Sequence, residues 1–420
     1  MSDPTRRDFV RLLGVGAAAV RLAGCGDDAS PRDAAAAVLD PTASGLLVAV
    51  WARRARTATI ELRDGDAVMT AQVELDDAGS GAIELTGLAA ATTYELTVTT
   101  ADGIVLGPHV ARTAPSDDVA TALRIAVIAD IDPSPEFETD LVEHVIAARP
   151  DVIVSLGDFP YTDNGPPADT LASYRERHAE IRTLPRFRTL LEAAPLVAIY
   201  DDHEFRNNWD AAFVAAEPAR YAAAMTVWDE FFPVREADPE IRYRAWRWGA
   251  HVECFVLDTR RFRSANAAPD DANKTMLGAA QKAWLLDGLA RSTATFKLVL
   301  TSVPLDYGTG DDHWASFTTE RDAILDAIVG IPGILFVTAD QHWFAAHRHA
   351  HGVREIQVGP LARGIATPGP VVDGVLFRGL QYNAGLLDVT SDRIVVTAIG
   401  PGGERLYEET LTAADLTPRR

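Results

Sequence analysis

After a polar, alanine-rich stretch, the chain carries short runs in which apolar and polar residues alternate between turn residues: Gly45 to Ala52, Thr57 to Leu62, Ala67 to Leu75 and Thr93 to Thr100. A period of two marks a strand with one buried face, and strands at this spacing predict a small β-sandwich over residues 38–114, with 26–37 as a linker. Beyond Thr113 to Asp118 the period changes. Apolar runs at Ile125 to Ala129, Val152 to Leu156, Leu196 to Tyr200, Val252 to Leu257, Lys297 to Thr301 and Ile334 to Thr338 alternate with helical patterns. Those patterns lie at Phe137 to Ala148, Thr170 to Leu184, Arg220 to Phe232, Ala279 to Ala290 and Thr319 to Val329. The alternation predicts an α/β domain over 122–412 with helices on its sheets and functional residues where strands end.

The first residues read as an address. Thr5-Arg6-Arg7-Asp8-Phe9-Val10 before the short apolar stretch Leu12 to Val20 has the pattern of a twin-arginine export signal over 1–25. Leu22-Ala23-Gly24-Cys25 resembles a lipobox, which would make Cys25 a lipid-anchored N-terminus; cleavage near Ala23 to give a soluble exported protein is the alternative. Either way the expected location is periplasmic or extracellular. Composition is that of a folded protein, 47% hydrophobic and 24% charged, which excludes a disordered chain. Sixty acidic against 39 basic residues leave a formal charge of −21, which argues against nucleic acid as a partner. An anionic substrate would then need strong local positive charge, such as metal ions. Cys254, inside Val252 to Leu257, reads as a buried thiol rather than a ligand.

Polar residues gather at five predicted strand ends: Asp130-Ile131-Asp132; Gly157-Asp158 through Tyr161, Asp163 and Asn164; Asp201-Asp202-His203-Glu204; Asp258-Thr259-Arg260-Arg261; and Asp340-Gln341-His342. One acid after a strand is ordinarily a cap or a turn. Five converging sets would repel one another without cations between them, so the pattern predicts a metal cluster. Gly157 would leave room for Asp158 to bridge two ions. Tyr161 can offer a phenolate, and an ion able to deprotonate a phenol at neutral pH is strongly Lewis acidic, with ferric iron the natural candidate. His347, His349 and His351 read as a solvated polar face, with metal binding as the alternative.

Gly157-Asp158-x-x-Tyr161, then Asp201-Asp202-His203-Glu204, then Asp340-x-His342, is similar to the PhoD-like alkaline phosphatases of the calcineurin-like metallophosphoesterase superfamily. Asp258-Thr259-Arg260 and Gly278-x-x-Gln281-x-x-Trp284-Leu285 match as well, over about Arg124 to Thr397. The resemblance implies a two-sheet α/β sandwich catalytic domain, preceded by a fibronectin- or immunoglobulin-like β-sandwich in which Tyr94 ties a corner. It also implies an exported phosphoesterase that uses a metal-activated water on small phosphate esters. Asp130, Asp158, Tyr161 and His342 would hold one ion, ferric iron; Asp158, Asp202 and Asp340 would hold a second, calcium or else zinc or manganese. His203 would serve the phosphoryl group, oriented by Asp130 or Asp201. Arg206 and Asn208 would grip phosphate or else cap and pack, and Arg260 would contact phosphate or pair with Asp258. Ser302, two residues before Pro304, stands where purple acid phosphatases keep a ligand histidine, so the second ion would be weakly held, calcium-like or absent. A phospholipase D-like activity and a catalytically impaired, lipid-tethered binding module are the alternatives, and a monomer is expected.

Overall fold

Alternating apolar residues fold the N-terminal region into β1 (Ala34–Leu39), β2 (Gly45–Ala52), β3 (Thr57–Asp64), β4 (Ala67–Glu74), β5 (Ser80–Thr86), β6 (Thr93–Thr100) and β7 (Val105–Arg112). The structure is a computed structural model that describes residues 33–235, 238 and 240–420. The export signal read at 1–25, with Cys25, lies outside the described residues. Strands β4-β3-β6-β7 form one sheet and β1-β2-β5 form the layer beneath it. Ile60, Leu62, Leu96 and Val98 meet Val38, Val48, Val50 and Ile83 between the layers. The Tyr94 hydroxyl accepts the N–H of Ala89 at 2.9 Å and ties the corner, as the sequence predicts.

Two boundaries differ from the sequence expectation. The alanine run assigned to the linker is strand β1. Ala34, Ala36 and Val38 face the sandwich core while Ala35, Ala37 and Leu39 face the core shared with the α/β region. Burial on both faces removes the alternation that would have marked a strand. The sandwich is also not a separate sheet, because Leu39 of β1 pairs in parallel with Leu196. The break placed between 114 and 122 therefore divides the chain but not the sheet.

The α/β region follows as β8 (Leu123–Ile128), α1 (Leu141–Ala147), β9 (Val152–Ser155), α2 (Leu171–Thr183), α3 (Pro185–Ala193) and β10 (Leu196–Ala198). Next come α4 (Ala211–Ala216), α5 (Pro218–Phe231), β11 (Arg244–Trp248), β12 (Val252–Val256), α6 (Gly278–Arg291) and β13 (Phe296–Leu300). The chain ends with α7 (Thr318–Ala327), β14 (Ile334–Thr338), β15 (Phe344–Arg348), β16 (Arg354–Gln357), β17 (Val375–Gly379), β18 (Ala384–Val389), β19 (Arg393–Ile399) and β20 (Arg405–Thr412). One sheet has the order β20-β19-β18-β8-β9-β10-β1-β2-β5, and the other β11-β12-β13-β14-β16-β15-β17. Neighbours β8-β9-β10 run parallel, as do β12-β13-β14-β16. Cys254, Leu298, Leu335 and Val337 join Ile128 and Val154 in one core between the sheets, while Phe255, Leu257 and Val299 turn outward under Leu285 and Ile324 of α6 and α7. This is the two-sheet α/β architecture expected. Parallel strands deliver the ends of β8, β9, β10, β12 and β14 to one rim, which is where the acidic residues lie.

A buried ion pair joins the sheets. Arg244 of β11 donates to both oxygens of Asp40 at 2.9 and 2.8 Å and to the carbonyl of Ala198 at 2.9 Å. Asp40→Ala should cost about 3–5 kcal/mol of stability, because the guanidinium would stay buried without its counter-charge. Urea unfolding of the variant against the parent measures this, and a difference under about 1 kcal/mol would show that the pair does not pin the sheets.

Candidate metal centre

The turns after β8, β9 and β14 carry their acids in left-handed backbone: Asp130 at φ 56°, Asp158 at 56°, Asp340 at 77° and His342 at 60°. Such conformations are unfavourable for residues with a Cβ, and their concentration at one rim marks a place where orientation outweighs local stability. Two glycines permit the approach. A Cβ on Gly359 would sit 2.1 Å from Oδ2 of Asp130. One on Gly157 would sit 2.5 Å from the backbone nitrogen of Asp201. Gly157 thus makes room for the turn after β10, not for metals as the sequence suggested.

The result is one continuous set of ligand atoms. Asp130, Asp158 and His342 place donor atoms within 4.8 Å of one another, as do Asp158, Asp202 and His203, and then Asp201, Asp202 and Asp340. Asp158 is shared by the first two groups and Asp202 by the last two. Both oxygens of Asp130, Oδ2 of Asp158 and Oδ1 of Asp202 are buried without a hydrogen-bond partner. Burial, then the charge of neighbouring acids, pushes the carboxyls of Asp130, Asp158 and Asp340 well above the ordinary carboxylate range. Unpartnered buried carboxylate oxygens converging in this way fit cations, and their hardness fits oxygen-preferring or Lewis-acidic ions.

Tyr161 and His342 close the first group. The Nδ1–H of His342 donates to the carbonyl of Gly364 at 2.8 Å, which leaves Nε2 to accept the Tyr161 hydroxyl at 2.7 Å. Burial lowers His342 to about 4, so it is neutral and ligand-competent. Burial and the charge of Asp158 push the Tyr161 phenol far up, so it keeps its proton unless a cation takes its place. The Tyr161 ring stacks on that of His203, with centroids 4.1 Å apart.

His203 is held by a residue the sequence reading did not choose. Its Nδ1 bonds Oδ1 of Asp163 at 2.7 Å, and Asp163 is fixed in turn by the N–H of Asn207 at 2.8 Å. Neither Asp130 nor Asp201 orients it. Burial opposes the charged imidazole, but the Asp202 charge and the Asp163 bond outweigh it and raise His203 to about 9. Asp201, expected beside His203, instead accepts two hydrogen bonds from Arg260 at 2.6 and 2.9 Å and one from the Ser302 hydroxyl at 2.5 Å. Ser302 therefore stands behind the acid cluster. Arg260 also donates to Asp312 at 3.1 Å and lies 3.7 Å from Asp202 and 3.8 Å from Asp340. The Asp258 carboxylate accepts the backbone N–H groups of Arg260 and Arg261 and the hydroxyl of Tyr200, so the Arg260 guanidinium pairs with Asp201 and not with Asp258 as expected.

Arg206 is not brought to the cluster. It is half-exposed and pairs with Glu217 at 3.1 Å, because the turn after His203 points it toward α4 and α5. Asn208 contributes its backbone N–H, which donates to Asp202 at 2.6 Å, while its residue as a whole is exposed. Three contributors were missed. Glu204 accepts the N–H of Phe159 at 2.8 Å and of Asp201 at 3.0 Å and fastens the two turns together. Asp163 was visible as an acid two residues past Tyr161. Arg363, stacked 4.8 Å over the Tyr161 ring and 3.6 Å from Asp132, sits in a segment with no periodicity to announce it.

Residues 135–368 match the profile of a family described as PhoD-like phosphatase. Alkaline phosphatase D of Bacillus subtilis (strain 168) is 27% identical over 247 residues, 48% of this chain and 42% of that protein, so the chain spans about two fifths of the length of the curated relative it matches. A solved structure of PhoD covers 90% of this chain and 88% of its own at a TM-score of 0.77 and 19% identity. A purple acid phosphatase from yellow lupin (Lupinus luteus) seeds covers 91% and 75%, at 0.66 and 12%. The two structures share the fold described above.

Raised carboxyl pKa values give the ion-free centre a signed pH dependence. Asp130, Asp158 and Asp340 stabilise the fold when protonated, a contribution fully present below about pH 4 and lost as pH rises through their raised folded values. His203 adds a share present below about pH 6.5 and lost only through about pH 9. Chelated protein should therefore melt lower than cation-loaded protein by a margin that widens from about pH 5 to about pH 8. A margin that stays constant in thermal melts across that range would mean these carboxyls do not hold the cations.

Proposed function

This chain belongs to the PhoD-like phosphatase family, and on that premise we propose that it is an exported, metal-dependent phosphoesterase acting on small phosphate esters. The observation that carries the reading is the run of unpartnered, buried carboxylate oxygens on Asp130, Asp158 and Asp202 beside an imidazole that is itself held by an acid. Asp130, Asp158, Tyr161 and His342 would hold one cation, ferric iron by the chemistry of the phenol. Asp158, Asp202 and Asp340 would hold the other, calcium or else zinc or manganese. Bound cations would supply an acidified water and neutralise the phosphoryl oxygens.

The protein's own part is orientation and proton delivery. Asp163 fixes His203 in one tautomer and favours its charged form, so the imidazolium can stabilise developing charge on phosphate oxygens or give its proton to the leaving oxygen. Arg260 places a permanent positive charge 3.7–3.8 Å from Asp202 and Asp340. That charge weakens the pull of the second position on a cation, which agrees with a labile, calcium-like ion there. Arg363 lies at the rim with about a quarter of its side chain exposed and is the guanidinium nearest Tyr161 that a phosphate can reach. Export rests on the twin-arginine pattern near the N-terminus; among the described residues no helix is long and apolar enough to cross a membrane.

An amphiphilic phosphodiester is the second reading. The segment that begins beside Arg363 exposes Ile365, Val371, Leu376 and Leu380, apolar surface that a head-group substrate with an acyl tail would cover. Phosphatidylcholine vesicles assayed beside nitrophenyl mono- and diesters separate the two substrates.

Asp158→Asn should lose bound metal and turnover together, because the shared position then carries no charge between two cations. Metal analysis with a nitrophenyl phosphate assay checks it, and full metal content with near-normal turnover would remove Asp158 from the site. His203→Ala should lower turnover by roughly 10²- to 10⁴-fold at unchanged metal content. The loss should shrink for nitrophenyl esters, which need little protonation; an equal loss for poor leaving groups would assign His203 to charge stabilisation alone.

A further inference from the structure

Of the three histidines after Trp343, His347 and His349 do not form a solvated face, while His351 is a quarter exposed and pairs with Asp326. His347 is 2% exposed and the side chain of His349 is 5% exposed, and their rings lie 4.0 Å apart. His347 lies in β15 and His349 just past its end, and β15 carries the chain five residues, about 16 Å of extended backbone, away from the acid cluster. Glu355 stands directly opposite His347 on β16. Its Oε1 is committed to the N–H of Leu305 at 3.0 Å and the hydroxyl of Thr338 at 2.7 Å. Its Oε2 bonds Nε2 of His349 at 2.6 Å but stands 3.8 Å from Nδ1 of His347, too far for a hydrogen bond.

That distance leaves an unsatisfied group. His347 directs Nε2–H to the carbonyl of Asp373 at 2.9 Å, which fixes Nδ1 as the bare lone pair, and this buried nitrogen has no partner. Hydrogen bonding to a backbone carbonyl on the far ring nitrogen is the arrangement that presents an imidazole to a metal. The third donor is Asp306, whose carboxylate lies within 4.8 Å of the two imidazole donors. Asp306 is about one-third exposed and borders an open recess of about 260 Å³ shared with His349, Arg348 and Asp373. An ion can therefore enter from solvent, and an open position is left for water.

We propose that Asp306, His347 and His349 form a second metal site, separate from the acid cluster, that takes a divalent ion of the zinc class, with Glu355 positioning the imidazoles. Two imidazoles and one carboxylate suit zinc or its neighbours and not calcium, which prefers a shell of oxygens. A tetrahedral zinc shell separates donors by about 3.4 Å, so the group closes by little over an ångström. Asp306 can supply that movement by exchanging its 3.4 Å contact with Arg321 for the metal. The bound ion would cross-link β15 to the segment after β13.

Equilibrium dialysis of the full chain against zinc, in the Asp158→Asn background, tests the site independently of phosphoesterase activity. One equivalent should bind and survive an excess of calcium. Asp306→Asn, which alters a partly exposed carboxylate and leaves the core intact, should weaken that equivalent at least tenfold; His349→Ala should abolish it. The thermal midpoint should rise with zinc in the parent and fail to rise in folded Asp306→Asn protein. Zinc stoichiometry and affinity unchanged by either substitution, or no zinc bound outside the acid cluster, would overturn the proposal.

Discussion

The fully buried pairing of Arg260 with Asp201 is the interaction on which the rim depends. Asp201 comes from the end of β10 in the larger sheet, and Arg260 follows β12 in the smaller one, so the pair joins the two halves where both deliver their acids. Around it lie Asp202, Asp312 and Asp340, each within 4 Å of the same guanidinium. An isolated buried ion pair adds little stability, because desolvation offsets attraction. Here the guanidinium faces several carboxylates at once, and that excess of negative charge is what makes the surroundings receptive to cations. Ser302 fits this account, because its hydroxyl completes the shell of Asp201 where a histidine ligand would have competed with Arg260.

Backbone strain serves the same purpose. Four of the residues assigned to the ions sit at positive φ, and Gly157 and Gly359 remove side chains that would collide with Asp201 and Asp130. Substituting a methyl at either glycine would move an acid rather than open a void. Glu204 then locks the turns of β9 and β10 together through two backbone N–H groups. The acids are held by covalent and hydrogen-bond geometry that their mutual repulsion cannot relax.

Much of this was legible in the sequence, for physical reasons that also explain the gaps. The strand Thr93 to Thr100 appears with the predicted ends because it has one buried face and a turn at both sides, and Gly45 to Ala52, although buried on both faces, is bounded by turns that mark its ends. Strand β1 was hidden, since alanines buried on both faces show no period. Asp130, Asp158, Tyr161, Asp202, Asp340 and His342 converge as expected, because strand-end position encodes them. Partnership was not legible. That Asp163 holds His203, that Arg260 holds Asp201 and that Arg206 turns away to Glu217 all depend on how loops from different strands meet. His347 of β15 and His349 just beyond it show the same limit, for a period of two fixes a shared face and says nothing about what covers it.

What covers that face bears on how one protein could keep two kinds of ion apart. The acid cluster offers mainly carboxylate and phenol oxygens beside the imidazoles of His342 and His203, the latter held by Asp163, and Arg260 lowers its field at one end. The β15 group offers two imidazoles whose far nitrogens or neighbours are fixed by Asp373 and Glu355. Hard cations gain most from the first set and borderline ones from the second, since imidazole replaces strongly held water poorly around calcium but well around zinc. Trp343, just before β15, and Ala345 within it lie between His342 and His347 and are fully buried with Tyr307. The segment that carries His342 thus runs on to His347, with buried apolar side chains between the two groups.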